Sequence, residues 1–89
     1  MIFEWDEAKR AANLAKHGVD FADAARLEWG AAVPVPDHRR DYGERRVIAL
    51  VPLDGRLHVC VHVLRGRRVR IISLRKANAR ERRVHEQAP

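Results

Sequence analysis

Residues 47–75 read VIALVPLDGRLHVCVHVLRGRRVRIISLR, and the two turns inside this stretch decide the fold. Asp54-Gly55 between apolar runs is the signature of a two-residue type I′ hairpin, in which both central residues need a positive φ. That turn pairs Leu53 with Arg56, Val51 with His58, Ala49 with Cys60 and Val47 with His62. Gly66-Arg67 puts glycine at the first central position, which predicts a type II′ turn. It pairs Arg65 with Arg68, His62 with Ile71, Cys60 with Ser73 and His58 with Arg75. The product is an antiparallel β-meander. Side chains alternate between faces along a strand, so Ile48, Leu50, Leu57, Val59, Val61, Val63, Ile72 and Leu74 are expected to share the core face. Val47, Ala49, Val51, His58, Cys60, His62, Ile71, Ser73 and Arg75 are expected on the opposite face.

Upstream, Ile2-Phe3-Glu4-Trp5 reads as a short strand. Asp6 is a good N-cap for a helix from Glu7 to His17, with Lys16 and His17 in the last turn and Gly18 as C-cap. Ala8, Ala11, Ala12 and Ala15 recur at helical spacing and predict a small-residue packing face. Asp20 caps a second predicted helix, with Phe21, Ala24, Ala25 and Leu27 on its apolar side, ended by Gly30. Ala31–Tyr42, with Pro34 and Pro36, reads as a loop with a short strand near Ala32–Val35. Downstream, Lys76–Gln87 reads as a charged helix whose apolar stripe is only Ala77 and Val84, a helix either loosely docked or completed by a partner. The expected fold class is α+β, in the order βααβββα, with the meander packed on helices.

The chain has 89 residues, enough for one domain over 1–89 with a single small core. With 46% hydrophobic residues it is not a disordered chain. One cysteine, Cys60, excludes an intrachain disulfide and fits a reducing compartment. No apolar run is long enough to span a membrane and Met1–Asp6 does not resemble a signal peptide, so a cytoplasmic location is expected. Charge is divided unevenly. Residues 56–89 carry ten Lys/Arg against two acids, net +8, whereas residues 1–55 carry eight against ten, net −2. Such a positive region attracts polyanions, with nucleic acid first among them. Trp5 and Trp29 fall at element ends, where they close a core. None of the five Phe, Trp and Tyr residues lies in the basic half, which argues against a base-stacking platform.

Three blocks carry a family likeness: Phe3-Glu4-Trp5-Asp6 with Lys9, Asn13 and Lys16-His17-Gly18; the meander with Val61-His62 and Arg65; and Arg70–Ala77 with Glu81-Arg82-Arg83. Together, in order and spacing, they resemble the BrnT toxins of type II toxin–antitoxin systems. The resemblance implies a RelE-like ribonuclease fold, mRNA cleavage that arrests growth, and neutralisation by a BrnA-type antitoxin. Leu74 stands where the family usually has a small residue, and Val63 where many members have Thr. As a core-face residue, Leu74 is expected to alter packing more than chemistry.

RNA cleavage through the 2′-OH needs a proton acceptor, a proton donor and cations on the phosphorane. His58 and His62 share their expected face with Ser73 and Arg75, which makes His62, Arg75 and His58 the candidate catalytic residues. An amphipathic strand would account for both histidines equally well. Lys16, His17, Arg65, Arg70 and Arg80 are the candidate RNA contacts. For Lys16 and His17, the helix dipole is a complete alternative explanation, and for Arg70 and Arg75 it is an ion pair to an acid such as Glu4 or Glu44. Arg80, Arg82 and Arg83 suit either phosphates or an acidic antitoxin segment. No cofactor is expected, and the histidines do not read as metal ligands: four residues along a strand span about 13 Å, too far for one zinc to bind both. Cys60 reads as a small buried hydrophobe. The competing readings are a basic nucleic-acid-binding module without catalysis and an assembly partner whose basic helix docks an acidic protein.

Overall fold

A computed structural model of the chain describes residues 1–35 and 46–88. Three long strands, β3 (Arg46–Leu53), β4 (Arg56–Arg65) and β5 (Arg68–Lys76), form the meander. At the first turn Asp54 has φ 51° and Gly55 φ 75°, the two positive values of a type I′ turn. All four pairs expected from that turn are present, from Leu53↔Arg56 to Val47↔His62. At the second turn Gly66 has φ 61° and Arg67 stays negative, the sign pattern of a type II′ turn. Arg65↔Arg68 and His62↔Ile71 follow as expected, and then the register shifts. Val61 pairs with Ser73, Cys60 with Leu74, Val59 with Arg75 and His58 with Lys76, leaving Ile72 as the extra residue of a β-bulge. The expected pairs Cys60 with Ser73 and His58 with Arg75 do not form.

Among the described residues the sheet has five strands, the meander being joined by the short strands expected near Ile2 and near Ala32–Val35. β1 (Ile2–Glu4) runs parallel to β5, and β2 (Val33–Val35) runs antiparallel to β3, giving the order β1-β5-β4-β3-β2. The antiparallel meander is therefore the centre of a mixed sheet. β2 is the short strand expected near Ala32–Val35, and its edge position tolerates Pro34, which has no N–H to donate. The part of the predicted Ala31–Tyr42 loop beyond Val35 lies outside the described residues.

α1 spans Glu7–His17, with the Asp6 side chain accepting from Lys9 N–H and the Gly18 N–H (φ 71°) donating to Leu14 O. Its alanines do not face the core: Ala8, Ala11, Ala12 and Ala15 are exposed, and Asn13 is the buried residue of the helix. Alanine offers too little apolar area to decide a docking face, and polar anchors decide it instead. Arg10 bonds Glu7 and Asp20, while Asn13 bonds the backbone of Val19 and Leu74.

The second predicted helix is replaced by two 3₁₀ segments, Phe21–Arg26 and Trp29–Ala31. The buried residues Phe21, Ala24 and Leu27 recur every three positions, the period of a 3₁₀-helix rather than an α-helix. The order is accordingly β-α-β-β-β-β-α, with the 3₁₀ segments after α1. The C-terminal helix, α2 (Ala79–Gln87), starts later than expected because β5 continues through Lys76. Asn78 and Glu81 form a reciprocal capping box at its start. No residue of α2 is buried, and His85 Nε2 lies 3.0 Å from Ala31 O.

The sheet buries apolar side chains on both faces, and the expected assignment of faces is reversed. Val51, Cys60, Ile71 and Leu74 pack with Val19, Phe21 and Leu27 on the side of α1, with Phe3, Trp5 and Trp29 around them. Leu50, Val59 and Ala77 form a smaller cluster on the other side, with Ile48 and Leu57 beside it. Alternation specifies which residues share a face and not which face a helix covers. Leu74 joins the α1 side because the bulge changes its parity.

Candidate functional site

A groove of about 600 Å³ lies on the sheet face away from α1, with α2 along one side. Ile48, Leu50, Val59, Val61 and Ile72 form an aliphatic floor, and Arg46, Ser73, Arg75, Arg80 and Glu81 supply its polar lining. The bulge puts Ser73 and Arg75 here: as register partners of Val61 and Val59, they share the face of those floor residues.

Arg75 and Glu81 form a two-pronged ion pair. Nη1 donates to Oε1 at 2.9 Å and Nη2 to Oε2 at 2.8 Å, and Nη1 also donates to Lys76 O at 3.2 Å. Glu81 Oε1 in addition accepts from Asn78 N–H at 2.9 Å, so the capping box of α2 aims the carboxylate. The bond from Arg75 lowers the Glu81 pKa and the bond to Glu81 raises that of Arg75, so both are ionised at neutral pH. The acid that pairs Arg75 is thus Glu81 and not Glu4. Glu4 instead bonds Arg68, and Glu44 lies outside the described residues.

The histidines lie elsewhere. His62 is 5% exposed on the α1 side, where its ring meets Trp29 edge-on. Desolvation lowers its pKa, offset in part by the Cys60 backbone, and its buried Nδ1 has no hydrogen-bond partner among the described residues. His58 is 4% exposed on the same side, with Nδ1 2.8 Å from Arg56 O. The expected grouping of His58, His62, Ser73 and Arg75 on one face is therefore split by the sheet, because the bulge at Ile72 inverts everything after it on β5. Burial raises the Cys60 thiol to about 12, so it stays protonated.

Of the candidate RNA contacts, Arg80 is exposed in the first turn of α2 and lines the groove. Arg70 faces the groove side by register, across Val63 from Arg46. Arg65 is exposed beside the second turn, while Lys16 (exposed) and His17 (half-buried) end α1 on the opposite side. Arg46 and Glu81 are groove residues that sequence reading did not select. The Asn78-to-Glu81 capping-box spacing was the signal available for Glu81.

Residues 5–81 match the family model described as the ribonuclease toxin BrnT of type II toxin–antitoxin systems. The chain belongs to the BrnT family. The 1.1 Å crystal structure of the Brucella abortus ribonuclease toxin BrnT is similar to it with a TM-score of 0.69 and 30% identity, covering 88% of this chain and 99% of that one. No curated protein matches the sequence. As a BrnT, the chain is a ribonuclease toxin of a type II toxin–antitoxin system, which decides against the binding-only and assembly readings. Among the described residues, no helix of this BrnT is long and apolar enough to cross a membrane.

Proposed function

We propose that this BrnT, acting as one RelE-like toxin domain over 1–89 in the cytoplasm, cleaves mRNA in the groove beside Arg75 and so arrests growth. A BrnA-type antitoxin neutralises it. The observation that carries this reading is the Arg75 guanidinium in an open groove, balanced by one aimed carboxylate and flanked by Arg46 and Arg80. A scissile phosphate arriving there competes with Glu81 for the guanidinium. Arg75 then stabilises the phosphorane, and the released Glu81 carboxylate accepts the proton of the 2′-OH. The 2′-oxygen attacks the adjacent phosphorus as the P–O5′ bond breaks, and the departing 5′-oxygen takes up a proton from water. The products are a 2′,3′-cyclic phosphate and a 5′-hydroxyl. Such a mechanism uses no metal, and a groove lined by three arginines repels a free cation. In this reading His62 and His58 support the fold under α1 and its neighbours instead of acting on RNA.

The test is purified protein with mRNA, with end-group analysis of the fragments. Arg75→Ala should reduce the cleavage rate about 10²–10³-fold, EDTA should leave it unchanged, and the cyclic phosphate should be found. Full activity in folded Arg75→Ala, or cleavage abolished by EDTA, overturns the mechanism.

A further inference from the structure

β1 pairs with β5 only over Arg68, Val69 and Arg70. Beyond Arg70 that edge of β5 has no strand beside it among the described residues, and an uncovered edge leaves N–H and C=O groups unpaired. At Leu74 the side chain of Asn13 stands in for the missing strand. Its Nδ2 donates to Leu74 O at 2.7 Å and its Oδ1 accepts from Leu74 N–H at 3.3 Å, the two-way exchange that a paired strand residue makes. Nδ2 also donates to Val19 O at 3.1 Å, which fixes the amide from its own side.

This exchange is possible in one register of β5 and impossible in the other. In an antiparallel strand, alternate residues aim both backbone groups at alternate edges. Arg65↔Arg68 close a two-residue turn and exchange hydrogen bonds, so Ile71, three residues on, points its groups outward. A regular continuation would turn Ser73 and Arg75 outward and aim the Leu74 N–H and C=O inward at β4. The bulge at Ile72 reverses this, and Leu74 then points at Asn13. The same reversal carries the Arg75 side chain from the α1 side into the groove.

We propose that Asn13 is a positioning residue for the ribonuclease: its carboxamide selects the bulged register of β5 and thereby keeps Arg75 on the groove face. The catalytic consequence rests on the groove reading given above, whereas the register does not. The side-chain hydrogen bonds of Asn13 go to the backbone of Val19 and Leu74, and it acts on the groove through the Leu74 backbone.

The experiment compares full-length wild type with Asn13→Ala and Asn13→Asp. Cross-strand NOEs report the register, and single-turnover cleavage and RNA affinity are measured separately. A Leu27→Ala variant, destabilised from the same core, controls for stability. In Asn13→Ala, the NOEs that put Arg75 beside Val59 should give way to those that put it beside His58. The cleavage rate should fall about 10²-fold, more than affinity falls, while Leu27→Ala keeps its rate as long as it is folded. Asn13→Asp, which keeps an acceptor for Leu74 N–H and loses both donor bonds, should be intermediate and decides the matter if Asn13→Ala does not fold. Wild-type register in the Asn13 variants overturns the proposal, as does an equal loss of rate in Leu27→Ala. Wild-type cleavage by Arg75→Ala would instead count against the groove reading and leave the register result standing.

Discussion

Trp29 presents its ring edge-on to His62, with centroids 5.3 Å apart and planes at 83°. Trp29 is held in turn by a bond from its Nε1 to Ala24 O and by stacking on Phe3. The imidazole is buried beside Trp29, and the loss of solvent there favours its neutral form.

That burial sets a pH dependence. The folded pKa of His62 lies below its ordinary value of about 6.5. Below that value the unfolded chain takes up a proton before the folded one does. Stability is thus complete above about pH 6.5 and declines as pH falls toward the lower folded value. Melting curves between pH 7.5 and 5 should show this decline, and His62→Leu should flatten it. Cleavage by folded His62→Leu should persist at neutral pH; its loss would return His62 to the chemistry.

Glu81→Gln tests the carboxylate. The Arg75–Glu81 pair is partly exposed on both sides, so its loss should cost only about 0–1 kcal/mol of stability. The single-turnover rate should nevertheless fall about 10²–10⁴-fold, while RNA affinity holds or rises because Arg75 loses its internal competitor. An unchanged rate would remove Glu81 as the proton acceptor.

Leu74 is fully buried among Ile71, Cys60 and Phe21. Leu74→Ala, which restores a small residue, should lower stability by about 2–5 kcal/mol in a denaturant titration. Cleavage per folded molecule should be retained, since the side chain faces away from the groove.

RNA affinity should drop steeply with salt, because Arg contacts to phosphates release counterions. Reversing charge with Arg80→Glu and Arg82→Glu should reduce the slope of log affinity against log salt. If antitoxin binding is lost and the RNA slope is unchanged, the first turn of α2 is a protein dock.

The hairpins were legible because each turn type is a local property. Asp54-Gly55 and Gly66 supply the required positive φ values, and the pairs nearest both turns follow from counting. The bulge was not legible, since Arg70–Arg75 alternates acceptably in either register. What selects between the two is Asn13, about sixty positions away in sequence. From that one unread contact came the misplacement of Ser73, Leu74 and Arg75, and hence of the candidate site. The choice of covered face failed for a different reason. Val51 and Leu50 are equally apolar neighbours, and only the period-three burial of Phe21, Ala24 and Leu27 shows where the 3₁₀ segment lies.

The parallel pairing of Ile2, Phe3 and Glu4 with Arg68, Val69 and Arg70 imposes an order of assembly. The hairpins close over a few residues and can form as soon as they are made. β1, made before them, has no partner until residues 68–70 exist, and contacts so distant in sequence are slow to form. A chain stopped before Leu74 leaves the Asn13 side chain only Val19 O as a partner and lacks Arg75 and Glu81. Residues 75 and 81 follow 68–70 in the chain, so the paired Arg75 and Glu81 of the groove are added only after the segment that β1 needs.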